Sequence, residues 1–377
     1  MKFTIDLVVG ARPNFMKAAP LYHMLNKYPR DFDVRMVHTG QHYDDNMSKV
    51  FFEDLGLPEP DVYLEVGSGT HARQTGAIMT SYEDLLRENL PDLVLVAGDV
   101  NSTVAGALVA KKMQTQLGHI EAGLRSRDRR MPEEINRIVT DSISDHLFTT
   151  SRGANENLRQ EGHRDEQIHF VGNLMIDSLN SFIDRADCTS ILRTLGVQPE
   201  RYGLITLHRP SNVDVKETFT GILQAFKQIQ DDLPLVFPAH PRTRSRLEEF
   251  GLLGDIEDYP NIHLLDPVGY LEFIALQRDA RLIFTDSGGI QEESTVLGIP
   301  CLTIRENTER PVTLTEGTNR LVDSSPPAII EAVGEILDGK VSEGKIPEKW
   351  DGRTAERILS VLWEINPHRN KDPDRVE

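Results

Sequence analysis

The chain has 377 residues and carries 41 Lys+Arg against 59 Asp+Glu, a formal net charge of −18. At roughly 150 residues per domain this length predicts two domains, and the acidic excess excludes a general binder of nucleic acid or anionic membrane, because phosphate surfaces need clustered Lys and Arg. Two distant cysteines, Cys188 and Cys301, form neither a disulfide framework nor a thiolate metal site; with no apolar run long enough to span a bilayer and no signal-peptide pattern, the expected setting is the cytoplasm.

Taken in chain order, short apolar runs predict strands over 4–10, 33–39, 61–66, 92–97, 118–122, 146–150 and 168–172. Segments with a period near 3.6, such as 18–27 and 102–113, lie between most of them. Near-continuous Val/Ile/Leu strands alternating with helices predict a parallel sheet covered on both faces. After a helical stretch without strands over 175–200, the pattern restarts with strands over 203–207, 235–238, 261–265, 281–285, 301–304 and 319–322. The expected fold is therefore α/β, with two doubly wound, Rossmann-like domains facing a cleft. The N-terminal domain is expected over 1–172 and the C-terminal domain over 173–352. An amphipathic segment at 354–365 predicts a last helix, and the polar end of the chain, 367–377, is expected to fray.

In open parallel sheets, ligands bind beyond the carboxyl ends of the strands, and here those positions are rich in ionisable residues. Arg12, Asn14 and Lys17 follow the first strand, Gln41 and His42 the second, and Asp99 the fourth; Glu121 ends the fifth, and Glu133, Glu134 and Arg137 come soon after. In the second series His208 and Arg209 follow one strand, and Asp286-Ser287-Gly288-Gly289, with Gln291, Glu292 and Glu293, follows another. Each residue alone has a plain reading as a turn, a cap or a core histidine; one cleft accounts for them together. Ser287-Gly288-Gly289 is the best phosphate-site candidate, since two glycines between a strand and a helix let backbone N–H groups approach an anion.

Competing motifs are weak. Gly67-Ser68-Gly69-Thr70-His71-Ala72 fits the loose dinucleotide pattern, with Glu88 and Asp92 near the spacing of its acidic partner, but it follows the third strand rather than the first. There is no Walker A loop, no Gly-x-Ser-x-Gly elbow, and no His or Cys cluster with metal-ligand spacing. No metal and no redox cofactor is expected, and the chemistry falls to Asp, Glu, His and Arg.

The segments GARPNFMKAAPL, HTGQH, GDVNST, HIEAGLRS, PEEINR, TLHRP, DSGGIQEE and ENTERP, in this order, closely resemble the non-hydrolysing UDP-N-acetylglucosamine 2-epimerases over residues 3 to about 365. The resemblance implies the glycosyltransferase-B architecture, with the last helix, 353–366, returning to the first domain. It also implies interconversion of UDP-N-acetylglucosamine and UDP-N-acetylmannosamine without cofactor or metal, for surface polysaccharide synthesis, by a homodimer. Asp99, Glu121 and Glu133 then match the family's three reactive carboxylates, and His208 the histidine that faces the diphosphate. Arg12, Lys17 and Arg137 match its basic residues and Ser287, Gly288 and Gly289 its diphosphate turn. Glu293 matches the carboxylate on the ribose, Phe273 an aromatic near the uracil, and Arg310 the Arg of the TERP segment. Gln41, His42, Arg73, Gln74 and Arg209 resemble the lining of a site where many bacterial members bind a second UDP-N-acetylglucosamine as activator.

The sequence also departs from the pattern. Asn14 stands where many members have Glu, the segment 125–131 is about two residues shorter, and HRPSN replaces HRREN. MPEEINR, HPRTR and DPVGYLE are shared with a branch acting on UDP-2,3-diacetamido-2,3-dideoxyglucuronate, which makes that sugar the alternative substrate. A hydrolysing epimerase releasing UDP and N-acetylmannosamine is the other alternative. The residue types suit the reaction. The C2 proton of an N-acetylhexosamine is not acidic, so inversion without oxidation requires expulsion of UDP to 2-acetamidoglucal. Carboxylates move the proton, and cations with N–H donors stabilise the diphosphate.

Overall fold

The computed structural model describes residues 1–10, 12–40, 55–186, 190–340 and 344–368, and their side chains except at 12 and 13. The chain forms two compact units, Met1–Ser178 with Glu348–Glu377, and Leu179–Pro347. In the first unit seven strands form one sheet in the order β3-β2-β1-β4-β5-β6-β7. They are β1 (Phe3–Val9), β2 (Phe32–His38), β3 (Val62–Tyr63), β4 (Leu93–Ala97), β5 (Gln116–Ala122), β6 (His146–Thr149) and β7 (Ile168–Phe170), and every pair is parallel. The second unit holds six strands in the order β10-β9-β8-β11-β12-β13, again all parallel. These are β8 (Gly203–Thr206), β9 (Leu235–Pro238), β10 (Ile262–Leu265), β11 (Leu282–Thr285), β12 (Cys301–Ile304) and β13 (Asn319–Val322). All thirteen strands lie on the apolar runs that predicted them.

Strand composition explains the layering. β4 is apolar at every residue and buried along its whole length, as a central parallel strand covered on both faces must be. In the second unit Phe219, Phe226, Phe237 and Phe284 belong to one fully buried cluster. Both sheets reverse their winding direction beside the first strand, between β1 and β4 and between β8 and β11. Connections leave such a point in opposite directions and open a crevice at the strand ends. The residues after β1, β4, β8 and β11 therefore hold the positions where a ligand fits.

The last helix, Thr354–Ile365, packs on the Arg12–Leu25 helix. Buried Asp177 caps it by accepting from the Thr354 and Ala355 N–H groups at 3.1 and 2.8 Å. Trp350 is 2 % exposed and donates Nε1–H to the Thr150 carbonyl at 2.8 Å. Trp363 sets its ring edge against Phe32 at 4.8 Å.

Buried His38 and half-buried His169 make stability depend on pH. His38 accepts the Gly40 N–H on Nδ1 at 2.9 Å, and burial lowers its pKa to about 4. Burial, and secondarily the neighbouring His146, lowers His169 to about 4 as well. An unfolded histidine titrates near pH 6.5, so between about 4 and 6.5 the unfolded chain binds more protons and stability rises with pH. The Tm is expected to fall as the solution goes from about pH 7 to about pH 5. His38→Asn, which keeps an acceptor for the Gly40 N–H, should fall less steeply. Equal slopes in the two melting series would argue against neutral burial of His38.

Candidate active site

At the ends of β1, β4 and β5 the side chains converge on one glycine. Gly98 has φ +69°, a left-handed turn that costs glycine nothing. A Cβ there would lie 3.1 Å from Lys17 Nζ, 3.3 Å from Glu121 Oε2 and 3.5 Å from Asn14 Nδ2. Lys17 and Glu121 form an ion pair whose side chains are 8 % and 5 % exposed. Asn14 donates to the Ala97 carbonyl at 2.9 Å and so ties the first helix to the end of β4. Glu121 itself has φ +71°, where the ladder between β5 and β6 shifts register. A non-glycine residue there is strained, and bulges at strand ends re-aim side chains. The bulge seats the Glu121 carboxylate beside the Lys17 ammonium.

Asp99 follows Gly98 and stands at the centre of a second charged group. Arg137, on the Pro132–Ile143 helix, pairs with Asp99 and with Glu134 at 2.6 Å. Glu134 is 1 % exposed and also accepts the Ser126 and Arg127 N–H groups at 2.9 Å each. Burial raises its pKa, but these donors and Arg137 outweigh burial and hold it low. Asn136 donates to the Asp99 carbonyl at 2.8 Å. Glu134 thus serves to hold the 126–127 backbone and orient Arg137. Glu133, one residue earlier, is partly exposed and makes no hydrogen bond or ion pair with any described residue.

The second unit presents a different chemistry at the ends of β8, β11 and β12. Asp286 is buried and accepts from the His208 N–H at 3.0 Å, the Arg209 N–H at 2.9 Å and Asn212 Nδ2 at 3.1 Å. His208 Nδ1 lies 3.0 Å from the same carboxylate. Burial raises the Asp286 pKa, yet His208 and the N–H donors outweigh it and keep the group ionised. Ser287 holds the N-cap position of the Gly288–Leu297 helix without a side-chain hydrogen bond, and the first N–H groups of such a helix are suited to receive an anion. Arg310 donates to Glu292 at 2.7 Å and to Glu309 at 2.5 Å. It lies flat against Gly288, where a Cβ would come within 2.7 Å of Arg310 Cζ and 3.0 Å of Glu309 Oε1. Only a glycine admits that guanidinium beside the helix start.

Sequence comparison assigns the family. Residues 24–363 match the family model described as UDP-N-acetylglucosamine 2-epimerase. The chain belongs to the UDP-N-acetylglucosamine 2-epimerase family. The UDP-N-acetylglucosamine 2-epimerase of Methanocaldococcus jannaschii is 43% identical over 363 residues, 95% of this chain and 98% of that protein. The UDP-2,3-diacetamido-2,3-dideoxy-D-glucuronate 2-epimerase of Pseudomonas aeruginosa is 41% identical over 94% of this chain and 98% of that protein. The crystal structure of the M. jannaschii enzyme in complex with UDP-GlcNAc and UDP superimposes with a TM-score of 0.87, at 41% identity over 96% of this chain and 99% of that one. Membership in this 2-epimerase family makes the protein an isomerase.

For this 2-epimerase family member the remaining sequence expectations fall as follows. Glu293 is 2 % exposed, with Gln277 at 2.8 Å and Tyr270 at 3.3 Å. Phe273 is half-buried on the Tyr270–Arg278 helix. Gln74 is buried, donates to the Gly67 carbonyl at 3.0 Å and accepts from Asn101 at 2.8 Å, while Arg73 is exposed. Arg209 donates to the Asp286 carbonyl at 3.1 Å. Gln41, His42, Cys188 and the Arg12 side chain lie outside the described residues. Cys301 is buried, and burial raises its thiol to about 11. Among the described residues no group of His, Cys, Asp or Glu is arranged to hold a metal ion, and no helix is long and apolar enough to cross a membrane.

Two charged groups escaped the sequence reading. Arg305, just past β12, bonds Glu309 at 2.9 Å, and its buried Nη1 has no hydrogen-bond partner among the described residues. The strand-exit rule would have found it. Asp141 is fully buried against His119 and Arg125. Its signal was a polar stripe, Glu134, Arg137 and Asp141, at helical spacing on one face of the Pro132–Ile143 helix.

Proposed function

We propose that the protein interconverts UDP-N-acetylglucosamine and UDP-N-acetylmannosamine by elimination and re-addition of UDP. The observation that carries this reading is the convergence of Asp99 and Glu121, each paired with a buried cation, at the switch point of the first sheet. In the second unit the Gly288–Leu297 helix N-terminus, His208 and Arg310 receive the diphosphate, with Glu293 serving the ribose and Phe273 the uracil. A carboxylate takes the C2 proton while the C1–O bond breaks. The C2–H electron pair becomes the C1–C2 double bond, and UDP leaves with the C1–O pair. Protonation of 2-acetamidoglucal at C2 from the opposite face, with a diphosphate oxygen returning to C1, gives the epimer. Asp99, Glu121 and Glu133 supply the proton acceptor and donor. Lys17 and Arg137 pair with Glu121 and Asp99 and orient them. Arg12 joins the cations that meet the sugar diphosphate.

The same reading includes a cytoplasmic homodimer serving polysaccharide synthesis. It also includes an activating second UDP-N-acetylglucosamine at Gln41, His42, Arg73, Gln74 and Arg209. The resemblance to the P. aeruginosa protein, nearly as high as to the M. jannaschii one, supports a second substrate, UDP-2,3-diacetamido-2,3-dideoxyglucuronate. Incubation of each UDP-sugar in heavy water tests both. Deuterium at C2 with the UDP–sugar bond intact is expected for the true substrate. Release of free N-acetylmannosamine would replace this reading with a hydrolysing one, and absence of C2 exchange with both sugars would refute it.

A further inference from the structure

Beside the candidate carboxylates lies a buried group of charges, His119, Asp141 and Arg125, that reaches the surface at Glu161. His119, on β5, and Asp141, on the Pro132–Ile143 helix, are both 0 % exposed. His119 Nδ1 meets Asp141 Oδ1 at 2.6 Å, and His119 Nε2 meets the Gly98 carbonyl at 2.8 Å. Asp141 Oδ2 accepts the Gly123 N–H at 3.0 Å and Arg125 Nη2 at 2.7 Å. Arg125 in turn grips Glu161 at 2.5 and 2.8 Å. Burial alone would raise the Asp141 pKa, but His119 and Arg125 reverse it and the group stays ionised.

Two consequences follow from the bonding pattern. A carbonyl only accepts, and an ionised carboxylate only accepts. Both ring nitrogens of His119 are therefore placed as donors. Second, Asp141 grips the chain on either side of the strained residue, at His119 and at Gly123, with Glu121 between them. His119 then passes the restraint on to the Gly98 carbonyl, one residue before Asp99. The Gly98 N–H is tied to the Ile120 carbonyl at 3.0 Å from the same strand. One aspartate thus restrains the backbone at both Glu121 and Asp99.

We propose that Asp141 and His119 are positioning residues that set the Glu121 and Asp99 carboxylates for proton transfer, neither of them touching substrate. This rests on the function proposed above. A displacement of about 1 Å at a reacting group costs roughly 100-fold in rate, and a backbone held in a left-handed conformation relaxes when its restraint is removed. The test compares Asp141→Asn, His119→Gln and His119→Asn with wild type in the C2-exchange assay, alongside calorimetric binding of UDP and nitrogen-15 spectra of the histidine rings. Asp141→Asn is expected to lower kcat by roughly 100-fold while KM and UDP affinity stay within about three-fold of wild type. His119→Gln keeps a donor at the Nε2 position for the Gly98 carbonyl, so it should retain more turnover than His119→Asn, although both are folded. In wild type the His119 ring should give two slowly exchanging N–H signals, and in Asp141→Asn one. Wild-type kcat in Asp141→Asn, or a single ring N–H in wild type, would overturn the proposal. If wild type shows no exchange, the epimerase reading falls and the ring signals alone decide whether the restraint exists.

Discussion

Glu121→Gln is expected to reduce turnover by about 10²–10⁴-fold, the scale on which a positioned acid or base contributes, while UDP binds with unchanged affinity. The amide keeps the size and one acceptor oxygen of the carboxylate but can neither take nor return the C2 proton. UDP affinity is preserved because His208, Ser287, Gly288, Gly289, Glu293 and Arg310, proposed to hold the nucleotide, belong to the second unit, and Arg12, the first-unit cation proposed for the diphosphate, is unchanged. The variant also leaves the buried Lys17 ammonium without its partner, and breaking a buried pair from one side costs about 3–5 kcal/mol of stability. The double variant Lys17→Met with Glu121→Gln removes both charges, so it should regain most of that stability and none of the turnover. Thermal melts, UDP calorimetry and C2 exchange separate the two effects. Wild-type turnover in Glu121→Gln would take Glu121 out of the reactive set.

The sheets were legible in the sequence because parallel strands buried on both faces leave unbroken apolar runs, and each run such as 93–97 ends where a ligand-facing turn begins. The site residues were legible for the same reason: Glu121 sits at the end of a strand, and Asp99, His208 and Ser287 follow strands. Their pairing was not. Arg310 reads as a free cation for a diphosphate, yet it is shared between Glu292 and Glu309. Likewise Lys17 and Arg137 each meet a carboxylate. Sequence spacing gives strand exits but no register across a sheet, and ion pairs joining residues 104 or 38 apart depend on that register. The Glu121 bulge was equally hidden, since nothing in HIEAG marks a left-handed glutamate. Glu133 and Glu134 show the same limit one residue apart. Both complement a helix start, and only the fold buries one and leaves the other unpartnered.

His208→Ala is expected to lower kcat/KM by about 2–4 kcal/mol of transition-state stabilisation, the usual scale for losing one donor to a developing anion, with little loss of stability. The ring is the only part of the loop that the change removes. Asp286 keeps the His208 and Arg209 backbone N–H groups and Asn212, so the turn after β8 stays in place. In the native protein Asp286 holds Nδ1 at 3.0 Å, and Nε2 has no hydrogen-bond partner among the described residues. The side chain is 39 % exposed, so Nε2 is available to a ligand oxygen. A carboxylate on Nδ1 orients the ring, so that Nε2 faces the departing diphosphate as a donor. Ground-state binding of UDP-sugar uses Gly288, Gly289 and Arg310 as well, so the loss should fall on kcat more than on KM. Asp286→Asn separates orientation from charge. It retains an acceptor for the backbone N–H groups but removes the ionised partner of the ring, and kcat should fall in it as well. Unchanged kcat/KM in His208→Ala would remove the histidine from diphosphate stabilisation. The anion would then be left to the Gly288–Leu297 helix N-terminus and to an Arg310 whose charge is already countered by two glutamates.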